Sequence, residues 1–151
     1  MRKLIFKVIG LTVLTTMYFC QVACDPTLQT SHWIQEWYLA NDTTQPIFYR
    51  FDDENIEQIL PDERIKLYNK NLSSDSKKDF SIFFSDVKYQ TLKIYLDQKG
   101  APVKIWNRAD AAISGKQFWN EKDWQEVDLN EPADAQDATW VFNITASDLS
   151  E

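Results

Sequence analysis

Thr91-Leu92-Lys93-Ile94-Tyr95-Leu96-Asp97-Gln98-Lys99-Gly100-Ala101-Pro102-Val103-Lys104-Ile105-Trp106 is the stretch that decides the fold. Leu92, Ile94 and Leu96 alternate with Lys93, Tyr95 and Asp97. Successive side chains on a strand point to opposite faces, so this pattern predicts a β-strand with one apolar face. Gln98-Lys99-Gly100 follows as a turn, and glycine takes positive φ at little cost. Val103 and Ile105 then alternate with Lys104 and Trp106, which returns the chain as the second arm of a hairpin.

Upstream, Ile47-Phe48-Tyr49-Arg50-Phe51 is rich in strand formers and follows the turn cluster Asn41-Asp42-Thr43-Thr44-Gln45-Pro46. Trp33 to Ala40 fits a helical face through Trp33, Ile34, Trp37 and Tyr38. It fits strand parity through Trp33, Gln35, Trp37 and Leu39. The neighbouring turn and strand favour the second reading and predict a hairpin with Ile47–Phe51. Asp52-Asp53-Glu54-Asn55 reads as an acidic turn, Ile56 to Leu60 as a short strand, and Pro61-Asp62-Glu63 as another turn. Arg64 to Tyr68 alternates, with Ile65 and Leu67 on one side and Arg64, Lys66 and Tyr68 on the other. Asn69 to Asp79 reads as a polar loop, and Phe80, Ile82 and Phe84 as one face of a further strand.

Downstream, Asn107 to Asp128 is irregular, with room for a helical turn, and Glu131 to Ala138 is a loop. Trp140, Phe142 and Ile144 mark a last strand, and Ala146 to Glu151 a tail. Seven or eight short strands without a long helix predict an all-β, mainly antiparallel fold. It is a single β-sandwich over 32–151, of which the immunoglobulin-like arrangement is one form, with a short helical turn. There is no internal repeat of fixed period.

The N-terminus has a different character. Met1 to Lys7 carries three cations, and Val8 to Phe19 is a mostly apolar run of twelve residues. This is the pattern of a secretory signal, and it falls short of the roughly 20 residues needed for a membrane-spanning helix. The run ends in Gln21-Val22-Ala23-Cys24. Small residues before a cysteine resemble a bacterial lipobox, with cleavage before Cys24 and acylation of its thiol; Gln21 stands where Leu is usual. Cys20 is a poorer acceptor because bulky Tyr18 and Phe19 precede it. The expected organisation is a lipoprotein signal peptide at 1–23, a tether at 24–31 and the β-domain at 32–151. Two or three acyl chains anchor durably where one does not. The opposing readings are an ordinary cleaved signal with a chance cysteine, and a eukaryotic secreted protein whose sequons at Asn41, Asn71 and Asn143 mark surface positions.

Removing 23 of the 151 residues leaves 128, enough for one core. The formal net charge is −7, and losing Arg2, Lys3 and Lys7 with the signal takes it to −10. So acidic a domain is repelled by phosphate backbones, and no basic run interleaved with aromatics offsets this, so nucleic acid is not an expected partner.

The only histidine, His32, lies beside the tether, and no cysteine remains beyond Cys24. A histidine-based triad or a histidine–cysteine zinc site is therefore not expected. Gly100 and Gly115 alone cannot build a phosphate-cradling loop, so no nucleotide or other cofactor is expected. Asp52-Asp53-Glu54 and the group Glu121, Asp123, Glu126 and Asp128 have the chemistry for calcium or for an acid–base pair. Neither has EF-hand spacing, and such runs are usually solvated faces.

The positive signal is aromatic. Trp106, Phe118, Trp119, Trp124, Trp140 and Phe142 crowd the C-terminal half. One reading is a sandwich core. The other is a binding surface on Trp119, Trp124 and Trp106, since Asn120, Glu121, Lys122 and Asp123 lie between the first two. Exposed indoles beside amides and carboxylates suit sugar rings, and equally a protein partner.

These residues together resemble a group of small uncharacterised lipoproteins of the Gram-negative envelope. The matching features are Ala23-Cys24, the Lys93-Ile94-Tyr95 to Val103-Lys104-Ile105-Trp106 hairpin, the Phe118-Trp119 to Trp124 stretch, and the ending Trp140-Val141-Phe142-Asn143-Ile144-Thr145 with Asp148-Leu149. The resemblance covers most of the chain and implies an envelope-tethered β-domain held to the outer membrane or periplasmic face through acyl chains on Cys24. It carries no catalytic residues. The expected role is a non-enzymatic module binding a glycan or an envelope protein. The alternatives are a small carboxylate-dependent glycan hydrolase and a purely structural or inhibitory envelope protein.

Overall fold

A computed structural model describes residues 33–73, 76–127 and 137–150. The signal, Cys24, the tether and His32 lie outside the described residues, as do Asp128 and most of the loop expected at Glu131 to Ala138.

The chain folds as eight strands in two four-stranded sheets, with one short helix. They are β1 (Trp33–Asn41), β2 (Ile47–Phe51), β3 (Glu57–Ile59), β4 (Arg64–Leu72), α1 (Ser81–Asp86), β5 (Thr91–Tyr95), β6 (Lys104–Asn107), β7 (Gln125–Val127) and β8 (Ala138–Ile144). Sheet A runs β4-β1-β8-β7 and sheet B runs β3-β2-β5-β6. Every pairing is antiparallel except β1 with β8, which is parallel. The mainly antiparallel β-sandwich expected from the sequence is therefore observed.

The β5–β6 hairpin forms as the alternation requires, with Leu92 opposite Trp106 and Ile94 opposite Lys104. Its details differ from expectation. Trp106 shares the inward side of Leu92, while Ile105 pairs with Lys93 on the outer face and is exposed. The turn is organised by Asp97, whose carboxylate accepts from Lys99 N (3.0 Å) and whose carbonyl accepts from Gly100 N (3.0 Å). Gly100 does not take positive φ; among the described residues Asp52, Asp62 and Gly115 do.

Trp33 to Asn41 is a strand, with Gln35, Trp37 and Leu39 buried in strand parity. It makes no hairpin with Ile47–Phe51, because the chain changes sheets between them. Asn41 builds this corner. Its amide donates to Gln45 O (2.9 Å) and Ile59 O (3.0 Å), and its oxygen accepts from Thr43 N and Oγ1. Nearly every hydrogen-bonding position of a buried asparagine is thus used within the fold. Asn41 is therefore no accessible glycan acceptor.

β4 runs beyond the expected loop boundary to Leu72, and its register against β1 shifts at Trp37/Tyr38, so that Leu67 is extra. Such a bulge changes parity along the strand. Tyr68 consequently packs on Trp37 (5.5 Å between centroids) instead of sharing the outer face with Arg64 and Lys66.

Phe80 to Phe84 is helical, not extended. Phe80, Phe83 and Phe84 are spaced i, i+3, i+4, which places them on one helical face, and Phe83 is fully buried. Gln35 fixes the approach: with its amide oriented to suit its neighbours, it exchanges two hydrogen bonds with the Asp79 backbone. Asp79 Oδ1 then accepts from Ser81 N (2.9 Å).

The core lies between the sheets and is largely aromatic. Trp37 stacks on Phe83 (5.7 Å) and Trp140 (4.8 Å), and Trp106 of sheet B meets Phe142 of sheet A edge-on at 5.2 Å. β8 is flanked on both sides, which accounts for its nearly unbroken burial from Ala138 to Ile144. The tail is a 3-10 turn, Ala146–Leu149, closed by a capping box between Thr145 and Asp148.

Candidate functional site

The three candidate tryptophans converge, but inside the core. Trp106, Trp119 and Trp124 are 1%, 4% and 7% exposed. Each indole N–H donates to a backbone carbonyl: Trp106 to Lys116 O (2.8 Å), Trp119 to Trp106 O (3.3 Å) and Trp124 to Phe118 O (2.7 Å). Phe118 is the hub of this packing, 4.8 Å from Trp119, 5.1 Å from Trp124 and 5.2 Å from Phe142. These indoles therefore stitch the irregular segment after β6 onto the core and turn no open face to solvent. That corrects the expected stacking platform.

Partly buried cations meet rings of the same core. Arg108 lies over Trp119 (5.3 Å) and donates to the carbonyls of Phe84, Val87 and Tyr89, closing the C-terminal end of α1. Lys116 lies over Phe142 (4.9 Å) and binds Asn143 O and the Asp148 carboxylate (2.8 Å). Burial pushes the Asp148 pKa up, but Lys116 and Thr145 donate to its carboxylate and the net shift is below the ordinary range.

Carboxylates of the two acidic runs make separate contacts. Asp52 accepts from Gln90 N, Thr91 N and Thr91 Oγ1, so it staples the β2 end to the β5 start. Asp53 is almost fully exposed. Asp123 accepts from Gln117 N (2.9 Å), and Glu126 pairs with Lys78. Among the described residues, no three His, Cys, Asp or Glu side chains are grouped to hold a metal ion.

Two partly exposed Tyr–carboxylate–Lys groups are built around β4. Glu36 takes Tyr38 Oη (2.8 Å) and Lys66, while Asp86 takes Tyr68 Oη (2.5 Å) and Lys70 (2.9 Å). Hydrogen bonds from Tyr68 and Lys70 hold Asp86 below the usual aspartate range. At the other sheet, burial and then a hydrogen bond to Glu57 push the Tyr49 hydroxyl upward.

The outer face of sheet B has a different balance. Strand register places Phe48 beside Tyr95, Arg50 beside Lys93, Lys93 beside Ile105, and Thr91 beside Asn107, with Gln58 at the edge. None of these outward positions is a carboxylate. Tyr95 is 3% exposed yet lies outside the central core cluster, with the Arg50 guanidinium 5.6 Å from its ring centroid. The Tyr95 hydroxyl and Arg50 Nε are both buried without a hydrogen-bond partner. An unmet buried donor costs about 1–3 kcal/mol. Ile105 beside them is 44% exposed.

Sequence reasoning missed this grouping. Arg50 and Tyr95 lie 45 positions apart and become diagonal neighbours only once β2 and β5 pair. Cys24 lies outside the described residues. No family model, curated protein or solved structure matches the chain. Among the described residues no helix is long and apolar enough to cross a membrane.

Proposed function

We propose that the protein is an envelope lipoprotein, tethered through acyl chains on Cys24, whose β-sandwich is a non-catalytic module that binds another envelope protein. The tether rests on the cationic, apolar leader ending in Ala23-Cys24. The choice of a protein over a glycan is carried by one observation: Trp106, Trp119 and Trp124 are buried in the core. Sugar rings are held by stacking on open aromatic faces, and these indoles offer none. Protein partners need instead a mixed apolar and polar face, which the outer side of sheet B supplies.

Two measurements test the reading. Cys24→Ser should move the protein from the membrane fraction to the soluble fraction and leave its signal uncleaved. Equal processing and equal membrane association would remove the tether. In-cell cross-linking of the full chain should then give discrete adducts with another envelope protein. Adducts with neither protein nor glycan would remove the binding role.

A further inference from the structure

We infer that the outer face of sheet B is a docking surface for a polypeptide segment carrying a carboxylate, which is received by Arg50 and the Tyr95 hydroxyl. This deepens the binding-module reading and rests on it.

Both unmet groups, Arg50 Nε and the Tyr95 hydroxyl, can donate, and the structure places them together on one face. What they lack is an acceptor. A carboxylate has two oxygens and takes hydrogen bonds from both, and a charge-assisted bond to Arg is stronger than a neutral one. Lys93, the cross-strand neighbour of Arg50, adds a second cation, although its ammonium already reaches Asp52 O (3.1 Å) and lies 3.7 Å from Asp53. No outward position on these strands is itself a carboxylate, and Asp53, from the turn after β2, pairs with Lys93 and leaves Arg50 unpaired. Arg50 is thus a cation on this face with no carboxylate partner among the described residues, and charge complementarity selects an acidic occupant.

Access fits the same assignment. Arg50 is only partly buried and lies over the Tyr95 ring, and the assignment requires it to turn toward the carboxylate and admit it to the hydroxyl. Ile105, beside Lys93, and Phe48, beside Tyr95, give apolar ground on either side of the donors. A peptide with an acidic residue flanked by aliphatic ones matches this order. A lipid surface needs more cations than these two, and a sugar needs a ring face that Arg50 covers.

The test uses the purified full chain and two labelled probe peptides, one alternating Leu and Glu, the other Leu and Gln. The Glu peptide should bind saturably, with amide chemical-shift changes confined to β2, β5 and β6. The Gln peptide and the Arg50→Met variant should each bind about tenfold more weakly, the loss expected for one charge-assisted hydrogen bond. Tyr95→Phe should weaken binding by about threefold while keeping the thermal transition, which covers the case in which Arg50→Met folds poorly. Equal binding of the two peptides, shift changes on another face, or binding of an oligosaccharide or anionic vesicle in place of the peptide would overturn the inference. Cross-linked adducts that persist undiminished in Arg50→Met would overturn this face alone and leave the binding module standing; loss of adducts in the unaltered chain removes both.

Discussion

The seam between the sheets and the outer face of sheet B bury aromatic residues equally well but treat their polar atoms differently. Trp119 is 4% exposed and Tyr95 is 3% exposed. Trp119, like Trp106 and Trp124, hands its N–H to a backbone carbonyl. Tyr95 hands its hydroxyl to nothing, and neither does Arg50 Nε above it. The seam has one exception, Trp37 Nε1, which lacks a conventional partner. Its ring is surrounded by those of Tyr68, Phe80, Phe83 and Trp140, and aromatic faces accept an N–H weakly. Backbone carbonyls at Lys116, Trp106 and Phe118 receive the indoles of Trp106, Trp119 and Trp124. On the outer face of sheet B the Tyr95 hydroxyl and Arg50 Nε are buried as well, but without a carbonyl to receive them.

The largest effect should come from the seam. Phe83 is fully buried and meets Trp37, Tyr68, Phe118 and Trp124. Phe83→Ala should cost about 3–5 kcal/mol in urea unfolding, because a ring-sized cavity between two sheets closes poorly. Ile105→Ala on the outer face should change stability by less than about 0.5 kcal/mol. Similar losses at the two positions would erase the distinction between seam and face.

Arg108 comes next. It is a cation satisfied by carbonyls and a ring, and it joins α1 to the segment after β6. Arg108→Met keeps much of the packing over Trp119 but leaves those carbonyls unmet. A loss of about 2 kcal/mol is expected. Lysine in its place should rescue only part, since a single ammonium cannot span the same acceptors. Full rescue by lysine would mean that charge, and not the guanidinium fork, closes the helix.

These seam positions also show how far the sequence carries. Thr91–Tyr95 with Lys104–Asn107 was legible because strict alternation has one structural meaning and Asp97 to Gly100 is a local turn. Ser81–Asp86 was not, because Ile82-Phe83-Phe84 is apolar at every position and fits a strand face and a helical face alike. The parallel pairing of β1 with β8 joins Gln35 to Ala138, and no local pattern records a contact across so much chain. Tyr68 lies on the side opposite to that predicted by simple alternation because a single extra residue in β4 reverses parity. For the site, composition counts indoles without saying which backbone covers them, so Trp106, Trp119 and Trp124 admit a surface reading beside the core one. Arg50 and Tyr95 become a pair only through the β2–β5 register.

Asp148 gives a smaller effect and one that depends on pH. Its folded pKa lies below the ordinary 3.8, so folding favours the carboxylate. The stabilisation is complete above pH 3.8 and is lost as pH falls through the folded value. Asp148→Asn should lower stability by about 1 kcal/mol at neutral pH and less in acid, since the asparagine no longer pairs with Lys116 but still accepts from Thr145. Unfolding midpoints compared at pH 7 and pH 3 check this. A difference between the two proteins that stays constant with pH would show that shape, not charge, is what Asp148 supplies.

Tyr95→Phe should have the smallest effect on stability, and it divides the two regions most sharply. Removing a hydroxyl from a well-bonded buried tyrosine leaves its partner unmet and destabilises the fold. Removing the Tyr95 hydroxyl strands nothing, because nothing bonds to it. The ring, its burial beneath Arg50 and the cation–aromatic contact all remain, since phenylalanine keeps the ring face. The free chain should therefore be unchanged or more stable by up to about 1 kcal/mol, as the unmet group no longer has to be desolvated. Removing the indole N–H of Trp124 by Trp124→Phe should go the other way, leaving Phe118 O without its donor and shrinking a packed ring. A loss of stability in Tyr95→Phe that matched the loss in Trp124→Phe would mean that the hydroxyl is bonded in the free protein. The Tyr95 hydroxyl would then be closed like the indoles of the seam and could not donate to a partner's carboxylate.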